Sequence, residues 1–441
     1  MVYRKKVFSL LLVMALLLSA LPLASAEGAE KKVDLFSNPE INAMIDENYE
    51  QVLEQGWAEL RIPQSLHGIT EDMLSPNALD AAHKLIEAGF EALIVGGAMR
   101  DIVMGTVTMD FDLTTNATIN QQLEILDDMS FHTVQTGRTF GYVHYPDETI
   151  DLAQCQNIPA AYYGKEGVPD FDPESLTSDS FIFDSFQRDL PINAIYYDVA
   201  TGDLVDYHGG LHDIREGIIN TIADPETQFT SNPPSIIRAL RFRSRYGFAF
   251  SDRVDEVLRQ KGAELLLLNT QQTMRRQLFR FWIGGYARAC YDTLAEYDLL
   301  DTLYPPLSGL GASDYMAAAV DCMDEWYTEG YHQSDELAMG VFLWPAVSGA
   351  EDIAERAAEV FALENQVIEI DAELADHFVA MYELQASLEQ DGSEDAAAVL
   401  DDPAFNDAYD LLLIRARSEE GLDAAVEYWA DAWQEALPNA A

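Results

Sequence analysis

The sequence predicts an α+β chain, an α/β head followed by helices almost to its end. Three observations carry that prediction. Short apolar, β-prone runs alternate with glycine-closed helical stretches up to about residue 225. From about Ile236 onward the apolar spacing is helical. Apolar residues make up 48% of 441 residues, enough to bury a sizeable core shared among two or three domains.

The elements follow in order. Arg4, Lys5 and Lys6 precede an apolar run over residues 8–23, and Ala24-Ser25-Ala26 offers the small residues of a cleavage site before Glu27. This is the three-part pattern of an export signal. The run has 16 residues, short of the roughly 20 that span a bilayer. Residues 1–26 are therefore expected to be a signal peptide, leaving an exported chain, secreted or extracytoplasmic, with no stable membrane insertion after cleavage. Residues 27–75 read as an N-terminal leader, with one helix around 40–60 and a Pro-bounded stretch over 62–68. Residues 77–88 have helical spacing, with Ser75 as cap and Gly89 as stop. Residues 92–95 read as a buried strand running into Gly96-Gly97, and 98–104 as a helix closed by Gly105. Residues 109–113 read as a second strand. Residues 140–145 and 149–152 suggest a hairpin, and 192–197 and 203–206 further strands, with a turn at Thr201-Gly202. The head is placed at 76–225, a helical neck at 226–310 and an acidic helical body and tail at 311–441.

Charge excludes one class of function. Lys plus Arg number 26 and Asp plus Glu 76, a formal net charge of -50. Such a surface repels phosphate backbones and excludes a simple basic nucleic-acid coat protein, while leaving room for a local basic groove. Residues 238–288 hold 11 of the 26 basic residues. Residues 351–441 hold 24 acids and only Arg356, Arg415 and Arg417 as bases, which reads as a solvated acidic face. Cys155, Cys290 and Cys322 show no CxxC spacing, so neither a disulfide framework nor a structural zinc site is expected.

Asp110 and Asp112 lie two apart on the expected strand and share a side. Two carboxylates so placed repel each other unless a cation lies between them. A divalent metal pair suits that spacing and suits phosphoryl or nucleotidyl transfer; in isolation the same spacing also describes two solvent-facing acids on an edge strand. Gly96-Gly97 stands one βα unit upstream. Paired glycines let backbone N–H groups approach phosphates. No GxxxxGK[ST] is present, so this is not a P-loop.

Together these residues carry a resemblance. Val95-Gly96-Gly97-Ala98-Met99-Arg100-Asp101 and Asp110-Phe111-Asp112-Leu113-Thr114-Thr115-Asn116-Ala117-Thr118 resemble the head of the class II nucleotidyltransferases. These are the bacterial poly(A) polymerases and the tRNA CCA-adding enzymes. Gln187-Arg188-Asp189-Leu190-Pro191-Ile192-Asn193-Ala194 resembles the family's R-R-D-x-x-I-N-A, Gly209-Gly210-Leu211-His212-Asp213-Ile214 its G-G-x-x-D-L, and Arg238-Ala239-Leu240-Arg241-Phe242 its R-A-x-R-F. Residues 62–74 and 112–118 resemble the poly(A) polymerase branch. The motifs cover about residues 60–250, more weakly to about 310.

The resemblance implies a nucleotidyltransferase head with a neck, 226–310, that binds RNA and nucleotide. Asp110 and Asp112 would hold two Mg²⁺ ions and, with Asp189 as a supporting acid, form the catalytic set. Gly96, Gly97 and Arg100 would meet the triphosphate of ATP. Arg188 and Asn193 would surround ribose and phosphates, and Arg238 and Arg241 would add positive charge. The implied reaction is template-independent addition of AMP to an RNA 3′ end.

Some positions depart from the family pattern. Where the family has Glu-Asp-x-x-Arg before R-A-x-R-F, this chain has Ser231-Asn232-Pro233-Pro234-Ser235. The acid that reads the base is an amide and the arginine a serine, so the bidentate guanidinium fork is gone. The first Arg of R-R-D is Gln187, Asp151 stands where a Glu is common, and Gln156 where an Arg is common. The basic C-terminal extension of the bacterial enzymes is replaced by the acidic tail. These losses, together with the export signal, support a second reading: an exported, catalytically drifted member acting as a binding or interaction protein.

Overall fold

A computed structural model describes residues 33–106, 108, 111–127, 131–136, 138–145, 149–154, 181–309, 314–331, 333–390 and 396–436. The expected signal peptide, Asp110, Cys155 and Gln156 lie outside the described residues. The chain forms two compact units. One is a sheet unit, Gly28–Ser235 with Phe248–Val257; the other is helical, Ile236–Gly247 with Leu258–Ala441. The architecture is the predicted α+β, with a mixed sheet and a mostly helical remainder.

The sheet unit is built on eight strands: β1 (Leu60–Ile62), β2 (Ala92–Val95), β3 (Asp112–Thr115), β4 (Phe131–Thr136), β5 (Arg138–His144), β6 (Thr149–Gln154), β7 (Ile195–Asp198) and β8 (Leu204–Asp206). Their order is β1-β8-β7-β2-β3-β6-β5-β4. Every pairing is antiparallel except β3 with β6. β2 is buried at all four positions, as a strand covered on both faces should be. Leu93, Val95, Tyr196, Val205 and Tyr207 pack with Phe181 into one core. The short strands β9 (Ile218–Ile219) and β10 (Ala249–Phe250) pair in parallel.

The leader belongs to this sheet. Its helix, Pro39–Gln55, is capped by the Asn38 side chain, starts on proline and stops at left-handed Gly56. Ile62, read as the start of a Pro-bounded stretch, ends β1, which pairs with β8 at the sheet edge. The Ser75 cap holds: its Oγ accepts from the Ala78 N–H at 3.2 Å and the helix runs Pro76–Glu87. Two strand boundaries move. The strand expected at 109–113 is β3, which starts at Asp112 and runs on through the β-branched Thr114 and Thr115. Ile192 lies in the 3₁₀ turn Pro191–Asn193, because Pro191 fixes φ there, and β7 begins at Ile195.

In the helical unit the acidic C-terminal third supplies core as well as solvated surface. Helix Phe405–Arg415 buries Leu411, Leu412 and Ile414, and Phe405 packs against Trp429. Arg415 is a buried hub. It pairs with Glu389 and Glu419, donates to Gln385 Oε1 and lies over the Trp344 ring. Cys290 and Cys322 are buried free thiols. No helix among the described residues is long and apolar enough to cross a membrane.

Glu364 is the strained group of this unit. It closes helix Ile353–Glu364, is 1% exposed, and neither carboxylate oxygen has a hydrogen-bond partner. Trp282, Tyr304 and Phe378 surround it. Burial pushes its pKa from an ordinary 4.5 up to about 9. The folded chain therefore keeps a proton that the unfolded chain releases near 4.5, and stability falls as pH rises through that window. Glu364→Met should raise stability at pH 8 by about 1–3 kcal/mol, with a smaller gain at pH 5. Thermal unfolding of both chains at the two pH values measures this; an equal gain at both would show that the carboxyl does not titrate.

Candidate active site

The centre of the site is a glycine. β2 runs into Gly96, whose φ of +87° and ψ of -140° suit glycine and almost nothing else, and helix Gly97–Val103 starts behind it. Register places Val95 opposite Asp112, so the first residue of β3 lies beside the end of β2. A Cβ on Gly96 would come within 2.9 Å of Asp112 Oδ2 and 3.7 Å of Arg188 Nη1. A carboxylate and a guanidinium thus converge on one stretch of bare backbone. Across the parallel pairing, Asp112 is opposite Asp151, which is exposed.

Arg188 is held from behind. Its Nη2 donates to Asp184 Oδ2 at 3.1 Å, and the Tyr196 hydroxyl donates to the same oxygen at 3.0 Å. Asp184 and Tyr196 are both buried. Burial works against the charge on Arg188, yet Asp184, Tyr196 and Asp112 hold its pKa above the ordinary value. It is a permanent cation.

A second chain of contacts runs through Arg100. It is 4% exposed, so it is no surface residue. Its Nε and Nη2 both donate to Asp101 Oδ1 at 2.9 Å, and its Nη1 donates to Asn193 Oδ1 at 2.5 Å. Asn193 Nδ2 in turn donates to Asp189 Oδ1 at 3.3 Å, an oxygen that also accepts from the Leu190 N–H. Asp101–Arg100–Asn193–Asp189 therefore ties the helix after Gly97 to the segment before β7. A Cβ on Gly97 would meet Arg100 Nη2 at 3.4 Å, so the turn and the arginine are neighbours.

The structure thus brings Gly96, Gly97, Arg100, Asp112, Arg188, Asp189 and Asn193 into two linked groups within the sheet unit. Asp110 lies outside the described residues, so Asp112 is the described half of the expected metal pair. Among the described residues no group of three His, Cys, Asp or Glu is placed to hold a metal ion. Arg238 and Arg241 lie on helix Pro234–Tyr246, in the part that belongs to the helical unit. His208 and His212 have metal-ligand spacing but separate surroundings. His208 meets the Ser185 hydroxyl at 2.8 Å, and His212 stacks on Tyr49.

Asp184 and Tyr196 are what sequence reading missed. Asp184 stands four residues before Arg188, ion-pair spacing on a helix, and that was the available signal. Nothing local pointed to Tyr196. The positive neck also changes character. Arg243 and Arg259 share Glu296, Arg275 pairs with Asp371, and Arg288 with Asp321. Arg276 and Arg280 are exposed, with no carboxylate partner among the described residues.

Comparisons with known proteins agree with this geometry. A family model described as the Poly A polymerase head domain matches residues 92–220, and one described as the Polymerase A arginine-rich C-terminus matches residues 348–440. Poly(A) polymerase I of Escherichia coli is 28% identical over 414 residues, covering 86% of this chain and 86% of its own. The CCA-adding enzyme of Bacillus velezensis is 31% identical over 257 residues, covering 56% of this chain and 61% of its own. A solved CCA-adding enzyme, apo form II, shares the fold with a TM-score of 0.61 at 18% identity, over 85% of this chain and 86% of that one. Sheet head, Gly-Gly turn and helical remainder together are those of a nucleotidyltransferase. The chain belongs to the family of the bacterial poly(A) polymerases and CCA-adding enzymes.

If Asp184 fixes Arg188 for an anionic ligand, Asp184→Asn should weaken nucleoside triphosphate binding by roughly tenfold, the scale of one charge-assisted hydrogen bond. Tyr196→Phe should weaken it less, since the ion pair survives. Titration calorimetry with ATP and Mg²⁺ reads both; an unchanged affinity in Asp184→Asn would remove Arg188 from the binding set.

Proposed function

We propose that the chain is a template-independent nucleotidyltransferase that adds AMP from ATP to RNA 3′ ends. The observation that carries this reading is the convergence of Asp112, Arg188 and the Gly96 backbone, supported by the likeness to poly(A) polymerase I over 86% of the chain. Solved structures of the same fold include a CCA-adding enzyme with ATP, another with CTP, and a tRNA nucleotidyltransferase with a primer tRNA and an ATP analogue.

In the reaction, the RNA 3′ hydroxyl gives its proton to water as its oxygen bonds to the α-phosphorus, the bond from that phosphorus to the bridging oxygen breaks, and pyrophosphate leaves. Most of the acceleration comes from positioning and charge neutralisation. Asp112, with Asp110, would hold divalent metal, which when bound supplies Lewis-acid stabilisation of the phosphoryl oxygens. Arg188 supplies fixed positive charge beside it. The bare Gly96 backbone leaves room for a phosphate oxygen. Asp189 supports the Asn193–Arg100 chain through its Oδ1.

Base reading is weakened. Ser235 is buried, and its Oγ donates back to the Asn232 carbonyl at 2.6 Å, so it is engaged in the turn that starts the next helix. Only the half-buried Asn232 amide stands at the base-reading positions.

Incubation of the chain lacking residues 1–26 with a short RNA, Mg²⁺ and each labelled nucleoside triphosphate tests the proposal. Incorporation is expected, with ATP preferred by less than about a hundredfold, because each lost base contact removes about 1–3 kcal/mol of discrimination. Asp112→Asn should cut incorporation by about 100- to 1,000-fold, the scale of several kcal/mol of charge stabilisation. Triphosphate binding with no incorporation would favour the exported binding protein instead.

Export is proposed on the N-terminal pattern alone. Expression in a bacterial host should yield an extracytoplasmic chain whose first residue is Glu27. A cytoplasmic chain that retains Met1 would refute it.

A further inference from the structure

Within the sheet unit, the leader helix Pro39–Gln55 is fastened to helix Gly210–Glu216 by a pair of rings. Tyr49 lies flat on His212, with ring centres 3.4 Å apart and planes 5° from parallel. Gly209 makes the room: its φ is +74°, and a Cβ there would come within 2.7 Å of Tyr49 Cδ2. At the solvent edge of the same contact Arg215 pairs with Asp46 at 2.6 Å and with Glu216 at 2.8 Å.

Beside the stack lies a carboxyl that is short of partners. The Asp213 side chain is wholly buried; its Oδ1 meets His212 Nδ1 at 3.5 Å, and its Oδ2 is buried with no hydrogen-bond partner. Asp206, also buried, takes the nearby backbone donors instead, accepting from the His208 and Leu211 N–H groups at 3.0 and 2.8 Å. His208 brings no charge, since burial lowers its pKa to about 3. The Pro191–Asn193 turn and β9 also pack on this helix and carry no titratable side chain. The titratable groups facing Asp213 are therefore Asp206, His212 and Tyr49. Burial pushes the Asp213 pKa from 3.8 up to about 7; His212 opposes the rise and Asp206 adds to it.

We propose that Asp213 is a proton-operated latch for the leader helix: protonated, it stays buried beside the Tyr49–His212 stack; ionised, it draws in water and the stack opens. A buried carboxylate with an unmatched oxygen is costly, and opening the stack is the local way to hydrate it. The sign follows from linkage. The docked leader keeps on Asp213 a proton that the open form releases near 3.8, so docking is strongest at low pH and is lost as pH rises to about 7 and beyond. The latch also touches the candidate site. Gly210 lies against the Pro191 carbonyl, where a Cβ would overlap it, and the Pro191–Asn193 turn carries the Asn193 that joins Arg100 to Asp189. An undocked leader loosens the backing of that turn. This last step rests on the nucleotidyltransferase reading; the latch itself does not.

Amide hydrogen exchange of the leader helix at pH 6 and pH 8, corrected for the intrinsic exchange rate, tests the latch on the full chain lacking residues 1–26. Protection of the leader should fall about 10-fold between the two, the linkage expected when one buried carboxyl titrates near 7. Asp213→Asn keeps the shape and cannot ionise, so its protection should be the same at both pH values. His212→Phe keeps a stacking ring and removes the imidazole that opposes the rise, so the midpoint should move to higher pH; this variant also decides the matter if Asp213→Asn does not fold. Flat protection in the wild type, an equal pH response in Asp213→Asn, or a response abolished in His212→Phe each overturns the inference. Calorimetry with ATP and Mg²⁺ at the same two pH values reads the link to the site: wild-type affinity relative to Asp213→Asn should fall over that window. A leader that loosens while relative ATP affinity stays constant overturns the link and sustains the latch. A leader that loosens in a chain that binds no ATP at either pH sustains the latch while the nucleotidyltransferase reading falls.

Discussion

The head depends on a missing side chain. At Gly96 the backbone takes a conformation open essentially to glycine, and two opposite charges close over it. Asp112 would have to move to admit a Cβ there, while Arg188 would meet it at ordinary van der Waals distance. Their mutual attraction is then reinforced one layer back, since Asp184 grips Arg188 and Tyr196 grips Asp184. Each partner is fixed by the next and the last is wholly buried. A guanidinium beside a carboxylate at a site proposed to take phosphate must be kept from collapsing fully onto that carboxylate. Asp184 does this by competing for the same cation from the buried side.

The same logic of competition governs the wider charge distribution. The chain carries -50, yet its basic run over 238–288 could suggest an open positive strip. Folding engages much of that run: Arg243, Arg259, Arg275 and Arg288 meet carboxylates within the helical unit. Such exposed pairs are worth about 0–1 kcal/mol each. A polyanion can therefore exchange partners with them at little cost, though the displaced carboxylate stays nearby and repels it. Arg241 is different in kind, because its Nε is buried with no hydrogen-bond partner and no carboxylate pairs with it among the described residues.

Much of the fold was legible because its signals are local. Ser75 as a cap, Gly89 and Gly105 as stops, and the Thr201-Gly202 turn each depend on a few adjacent residues. β2 announced itself by four apolar residues ending in paired glycines. The motifs around Gly96, Arg188 and Arg238 were legible for the same reason. What escaped was long-range. β1 has three residues and acquires meaning only by pairing with β8, about 145 residues on. Tyr196 looks like a core aromatic until its hydroxyl is seen on Asp184. Arg100 read as a triphosphate contact, and only tertiary packing shows it buried and bonded to Asp101 and Asn193. Asp189 read as a supporting acid; its partners show it bracing Asn193. Glu364 gave no signal at all, since a glutamate at a helix end in an acidic region is normally solvated.

The C-terminal third shows what in this fold is negotiable. Residues 348–440 match the model of an arginine-rich C-terminus, yet this chain has three arginines there and 24 acids. The inward face is apolar: Phe405, Leu411, Leu412, Ile414 and Trp429 are all buried. Of the three arginines, Arg415 is internal, where two glutamates and the Trp344 ring hold it. Packing needs the apolar faces and that buried hub. It places no demand on the sign of the outer face, which faces water whether it is basic or acidic. Charge reversal there leaves the helical core intact and removes the long-range attraction that a basic surface would exert on RNA, an attraction that salt screens within about 8 Å at physiological ionic strength. A chain so changed keeps the fold of a nucleotide-transferring family, and the phosphate binding proposed for it would rest on a few individually supported cations, such as Arg188, held by neighbours rather than by a general positive field.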